Sequence, residues 1–257
     1  EPFYLLFIRM SLTVGVFLVL CAVFKIQMLP LNQAGHQIVT GLLVHGAYLG
    51  GVFAAIKWGM PAGITAIIVG IQPLLTAFLG WIFQGTRLRP LQWSGLGFGL
   101  AGVIMVLLTT GKQTSGAISF PALSAALVAL FGISTGTLYQ KKYGGSINLL
   151  AGSVWQYIGA AILTACLAWT FEARTVIWDL QLIMALTWLV FGLSVSAILL
   201  LMYMIREGET AKVASYFYLV PPVAAIEAWA LFNESLTQIS ILAIGITVTG
   251  VYLVIKK

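Results

Sequence analysis

The sequence predicts an all-α integral membrane protein built from two inverted five-helix repeats, with ten transmembrane helices, nine of them in this chain. Three observations predict it. Of 257 residues, 60% are hydrophobic and only 8% charged, whereas a soluble domain carries roughly 25% charged residues. Apolar stretches of membrane-helix length follow one another from end to end. The second half also repeats the first at a fixed offset.

Net charge is +6, from 13 Lys and Arg against seven Asp and Glu. The cations gather at the ends of apolar runs, where topology signals of membrane proteins lie. No basic patch is interleaved with aromatics, which excludes nucleic-acid binding and leaves the lipid bilayer as solvent. Cys21 and Cys166 lie deep in apolar segments without metal-ligand spacing, so both are expected to be buried packing groups. The chain opens Glu1-Pro2-Phe3, with neither an initiator Met nor a signal-peptide pattern, and a preceding segment is expected.

A membrane helix needs about 20 apolar residues. The first stretch, residues 3–24, contains Arg9. The second, 34–56, contains His45 and Tyr48. The third, 62–83, is interrupted by Gln72-Pro73, and the fourth, 91–110, carries Gly95-x-x-x-Gly99. The polar run Gly111 to Ser119 marks the centre of the chain. Beyond it come 118–140, 149–171 and 180–205, then 211–232, interrupted by Pro221-Pro222, and finally 238–255.

Internal repetition organises these stretches. At an offset of 148 residues Pro73 lies over Pro221, Gly97 over Gly245, Gly102-Val103 over Gly250-Val251, and Ala66 over Ala214. Gly85-Thr86-Arg87-Leu88 lies over Asn233-Glu234-Ser235-Leu236. The domains are therefore residues 1–112, a repeat lacking its first helix, and 113–257, its inverted partner. The stretch at 118–140 has no partner in the chain, so a further helix of roughly 20–25 residues is expected before Glu1. Five helices per unit is an odd number, so the second unit enters the membrane from the opposite side, as in inverted-repeat transporters.

Charge tests the same scheme. With Lys256 and Lys257 in the cytoplasm, Lys25, Arg87, Arg89, Lys141, Lys142, Arg206 and Lys212 also fall inside, and Lys57, Lys112 and Arg174 outside. Nine cations against three satisfy the positive-inside rule.

The order of a mid-helix proline, an apolar run, a Gly-Glu-x-Leu-like turn and a Gly-rich closing helix resembles the EamA-type branch of the drug/metabolite transporter superfamily. Here it reads Pro221 through Asn233-Glu234-Ser235-Leu236 to Gly245 and Gly250, and Pro73 through Gly85-Thr86-Arg87-Leu88 to Gly97 and Gly102. Thr86 stands where the family usually has Glu. Phe7-Ile8-Arg9 and Gly59-Met60-Pro61-Ala62-Gly63 are also similar to it. The resemblance implies a multi-pass secondary transporter of the bacterial inner membrane that exports amino acids or related metabolites through a central cavity. Aromatic or other apolar amino acids are the leading substrates. Nucleotide sugars and sugar phosphates fit less well, because such cavities need cations and this chain offers little beyond Arg9. The resemblance implies no cofactor or metal.

Polar groups inside hydrocarbon are costly, so each is a candidate. His45, with Tyr48 on its face, suits carboxylate binding, proton relay, or an interhelical hydrogen bond that locks packing. Gln72 beside Pro73 suits a substrate contact or satisfaction of the broken turn. Ser215 and Tyr218 precede the matching break at Pro221 and Pro222, and paired broken helices point to a transporter site. Trp155 suits stacking on a substrate, with Gln156 beside it, and Tyr203 suits either a ligand or an anchor near Arg206. His36 and Tyr139 read as interfacial. Glu227 and Arg9 are candidate coupling groups, or groups that reach an interface or a polar partner. The small faces Gly95-x-x-x-Gly99 and Ala243, Thr247 and Gly250 allow close packing, either within the chain or between protomers, so monomer and dimer both stay open.

Catalysis normally needs a carboxylate pair, a His–acid constellation or an activated nucleophile, and no such pattern or metal motif stands out, so an enzyme is disfavoured. A channel lacks a filter-like loop or a ring of charges.

Overall fold

In the computed structural model, residues 1–110, 119–220, 222–223, 226 and 237–256 are described. The helices are α1 Pro2–Val23, α2 Leu31–Lys57, α3 Ala62–Gln84, α4 Pro90–Thr110, α5 Phe120–Tyr143, α6 Leu149–Phe171, α7 Leu180–Glu207 and α9 Gln238–Ile255. Between the last two, α8 opens as Thr210–Ser215 and tightens into a 3-10 turn at Tyr216–Leu219. Every stretch expected from hydropathy lies on one of these helices, and the one at 211–232 is described in part. Seven of the described helices are long and apolar enough to cross a bilayer. The chain is a multi-pass, all-α membrane protein.

Local chemistry places the helix ends. Proline stands at or just before the first turn of α1, α2, α3, α4 and α5, where its missing N–H costs nothing. Side chains of Ser119, Asn148, Asp179 and Thr237 accept first-turn amides of α5, α6, α7 and α9, satisfying donors that lipid cannot. At the other end of α3, Gly85 adopts a left-handed φ of 65°, a conformation that glycine reaches without strain.

The 148-residue register carries over to the helix bounds. Shifted by 148, the starts of α1, α2, α3 and α4 fall within a residue of those of α6, α7, α8 and α9. Three of these four pairs pack together: α1 on α6, α3 on α8 and, most extensively, α4 on α9. The fourth pair, α2 and α7, is interrupted at matching places. In α2, residues Leu42–Ala47 widen into a π-helix, and in α7 residues Trp188–Ala197 do the same. Shifted by 148, the first π segment falls at 190–195, inside the second. Such π segments frequently mark functional sites.

Helix α5 is the hub, packed on α2, α3 and α7. Of its apolar window 61% is buried, against 17% for α7. Ala122, Ala126 and Ala129 line its inner face without exposure, so neighbouring backbones approach closely. The α4–α9 contact decides what the sequence left open about the small-residue faces. A Cβ on Gly95 would lie 2.7 Å from the Gly250 carbonyl oxygen, and one on Gly102 would collide with Thr247. These faces join helices of one chain.

Two expectations are corrected. Cys21 is buried as expected, but Cys166 is exposed on α6, because lipid accepts an apolar thiol as readily as a core does. His45 and Tyr48, expected on one face, have different neighbours, because the π segment that ends at Ala47 changes the helical phase between them.

Candidate functional site

A cavity of about 290 Å³ lies between α2, α3, α4 and α8. It runs from Ile56 and Ala62, at the Lys57 end of the bundle, to Gln72 and Pro73 in the middle of α3. Pro73 has no N–H to continue the α-helical ladder, and α3 is broken there into Ala62–Gly70 and Gln72–Gln84. The opposite wall is the 3-10 turn of α8, which contributes Phe217 and Tyr218, followed by Val220. In the 148-residue register Val69 matches Phe217, Gly70 matches Tyr218 and Gln72 matches Val220. The cavity therefore sits where the two broken segments meet.

Its lining is mostly apolar, with Tyr48, Thr65, Gln72 and Tyr218 as the polar groups and no charge among the described residues. Thr65 Oγ1 donates to the Pro61 carbonyl at 3.2 Å. The Gln72 side-chain amide is buried and donates to nothing among the described residues. Tyr218 turns its hydroxyl towards the Leu74 backbone without good hydrogen-bond geometry. Orphaned buried donors are uncommon in native structures and call for a ligand or water to meet them. At ~30 Å³ per water, the volume holds roughly ten waters or one small metabolite.

Beside the cavity lies a buried polar network centred on Gln156 of α6. Its Nε2 donates to Gln37 Oε1 at 2.6 Å and Gln140 Oε1 at 3.3 Å, and its Oε1 lies 3.3 Å from His45 Nε2. The His45 ring stacks on Tyr157, centroids 4.5 Å apart. Tyr157 donates to the Ser194 carbonyl at 3.3 Å, and Arg9 Nε donates to Ser194 Oγ at 3.1 Å. The network ties α2, α5 and α6 together, while Arg9 and Tyr157 fasten α1 and α6 to the π segment of α7. Arg9 and Tyr157 are also repeat mates.

Of the residues singled out in the sequence, Tyr48, Gln72, Pro73 and Tyr218 line the cavity. His45 and Gln156 belong to the polar network. Trp155 has a buried indole N–H without an acceptor among the described residues and does not line the cavity. Ser215 Oγ donates to the Lys212 carbonyl at 2.7 Å, and Tyr203 is half-exposed beneath the Arg206 guanidinium. Pro222 is buried in α8. Pro221 and Glu227 lie outside the described residues. His36, expected at an interface, sits 2.7 Å from the Tyr139 hydroxyl and stacks on Tyr143.

Sequence reading missed Glu172, Gln37, Gln140 and Thr76. Glu172 is fully buried, accepts the Phe3 and Tyr4 amides at 3.0 and 2.7 Å, and pairs with Lys57 at 3.1 Å. It caps α1 in place of water, and its carboxylate favours the positive N-terminal end of that helix. It stands just past the end of an apolar run, where hydropathy alone gives no sign that a carboxylate is buried. The two glutamines and Thr76 sit in apolar stretches, so their polarity was itself the available signal.

Comparison with known proteins places this architecture. The EamA-like transporter family model matches residues 1–108 and 120–256. The chain belongs to the EamA-like transporter family. It is 31% identical over 227 residues to "Uncharacterized inner membrane transporter YedA" of Escherichia coli strain K12, covering 88% of this chain and 72% of that one. It is 26% identical to "Uncharacterized transporter YvbV" of Bacillus subtilis strain 168, covering 95% and 79% of the two chains. A "Probable amino-acid metabolite efflux pump" of Escherichia coli strain K12 is 24% identical, covering 83% and 74%. A solved crystal structure shares the fold at a TM-score of 0.82 and 18% identity, covering 99% of this chain and 88% of that one. The chain is a membrane transporter with a small-molecule substrate, and the family assigns it transport rather than catalysis.

Proposed function

We propose that this transporter exports small neutral metabolites, aromatic or other apolar amino acids foremost, by alternating access between two inverted five-helix units. One observation carries the reading: a 290 Å³ cavity bounded by the paired breaks of α3 and α8, lined among the described residues by no charge, with the Gln72 amide unpaired by any of them in its wall. A largely apolar pocket with a few placed polar groups suits a small ligand with an apolar body. No cation among the described residues lines it, which argues against sugar phosphates and nucleotide sugars. The name of the amino-acid metabolite efflux relative points the same way.

In this scheme residues 1–112 and 113–257 are the two units, the membrane is a bacterial inner membrane, and the C-terminus is cytoplasmic. The pairing of α1 with α6, α3 with α8 and α4 with α9 supports the repeat. So does the open face of α7, where Ile183, Met184, Trp188 and Phe191 border a groove. Its repeat mate α2 is covered by α5, and in this scheme a counterpart of α5 in the first unit would pack on that groove.

The test is counterflow of radiolabelled L-phenylalanine and L-leucine into proteoliposomes, with glucose 6-phosphate as control. Movement of either amino acid without the phosphate is expected. Absence of all movement by correctly folded protein would overturn the reading. Gln72→Leu removes a hydrogen bond worth about 1 kcal/mol or more and should lower counterflow roughly fivefold or more.

A further inference from the structure

A second cavity, of about 430 Å³, opens at the opposite end of the bundle. Its walls come from the end of α3 and the loop after it, from α5, and from the connection between α7 and α8. It holds charges of both signs, Arg87 and Lys141 with Glu207 and Glu209. Lys141 Nζ donates to the Arg206 carbonyl at 2.7 Å, Glu207 pairs with Arg206 at 2.9 Å, and Glu209 pairs with Lys212 at 3.0 Å. Arg87 has no hydrogen bond or ion pair among the described residues.

The two cavities share α3. Gln72 lines the first and Thr76 the second, one helical turn apart, or about 6 Å. Thr76 is fully buried, and its Oγ1 has no partner among the described residues, just as the Gln72 amide has none. A threonine inside a helix usually turns its hydroxyl back to the carbonyl four residues earlier, as Thr13, Thr65, Thr137 and Thr164 do here. Thr76 does not. The seam between the cavities is made of small groups, with Ala77 of α3 and Ala211 of α8 in one buried cluster beside Tyr218.

We propose that the second cavity is a vestibule for zwitterions, and that Thr76 is the polar step by which a substrate passes between it and Gln72. The proposal rests on the transporter reading above and names its substrate class more closely: a solute bearing both an ammonium and a carboxylate. The carboxylate meets Arg87 and the ammonium meets Glu207 or Glu209, while neutral donors and acceptors take over at Thr76 and Gln72. Exposed charges attract only weakly, so the vestibule sorts solutes and does not trap them.

The experiment uses Thr76→Cys in a chain with Cys21→Ser and Cys166→Ser, reconstituted and treated with a membrane-impermeant methanethiosulfonate from either face. Labelling from the Lys141 face, slowed at least twofold by L-phenylalanine and abolishing its counterflow, is the expected result. Normal counterflow with no labelling from either face would remove Thr76 from the path while leaving the transporter reading intact. Loss of counterflow in the cysteine-replaced parent with Thr76 in place, if the native chain also moves no amino acid, would sink that reading instead. A second variant tests the vestibule. Arg87→Gln should narrow the preference for L-phenylalanine over phenethylamine, which lacks the carboxylate, by about two- to fivefold. An unchanged preference would overturn the zwitterion assignment.

Discussion

At the residue scale, the polar groups inside this bundle divide by whether they are satisfied. Gln156 meets Gln37, Gln140 and His45, and a side chain with three partners is a structural hub. Gln156→Ala strands those partners in a dry interior, at about 1–3 kcal/mol for each group left unpaired. The expected outcome is a lower thermal unfolding midpoint in detergent, with unchanged relative affinities among the amino acids still carried. Gln72 and Thr76 are the opposite case: their hydrogen-bonding capacity is held in reserve facing cavities, so their substitution should reach transport before stability. Glu172 is structural again. Glu172→Ala removes the cap of α1 together with the partner of Lys57, and a loss of about 2 kcal/mol should show in the same thermal assay.

Elements explain how these residues come to be where they are. The proline in α3 turns a continuous apolar run into two short helices whose junction borders the cavity. The matched π segments of α2 and α7 do something similar without proline, each inserting a phase change at mid-membrane. Deleting Leu42 would restore α-helical phase and turn the second half of α2 by about 100°, parting Tyr48 from the cavity. Retained helical circular dichroism with lost counterflow is expected; normal counterflow would show the π segment to be dispensable. The α4–α9 contact depends on missing side chains. Gly95→Val should cost about 1–3 kcal/mol by overpacking, measurable as a lower unfolding midpoint, whereas Gly97→Val, at a position where a Cβ meets nothing within 4 Å, should change it little.

For the whole molecule, charge and packing make separate statements. Lys141, Lys142, Arg206 and Lys212 gather at one end, where the proposed vestibule lies, while Lys57 and Arg174 mark the other. If the first end is cytoplasmic, a protease-cleavable tag after Lys257 is cut in inside-out vesicles and protected in intact spheroplasts. The reverse pattern would invert the topology and with it the direction of export. The cavity between Ile56 and Gln72 then reaches the outer face, and the Ala77–Ala211 seam closes the inner one.

The sequence by itself determined the solvent, the approximate places of the described helices, the register that their starts share between the halves, and the proline break beside the cavity. All of these depend on hydropathy, charge and backbone chemistry, which are local or additive along the chain. Tyr48, Gln72 and Tyr218 were legible as candidates for the same reason, since polar groups are conspicuous in apolar runs. Only the tertiary structure decided which of those groups are partnered. His45 and Tyr48, three residues apart, part company because a π segment intervenes, and no local preference announces it. Gln37, Gln140 and Gln156 become one network, and Thr76 does not join it, because four helices converge in a particular rotation. That rotation is set by small residues packing backbone against backbone, a property of pairs of helices that neither helix encodes alone.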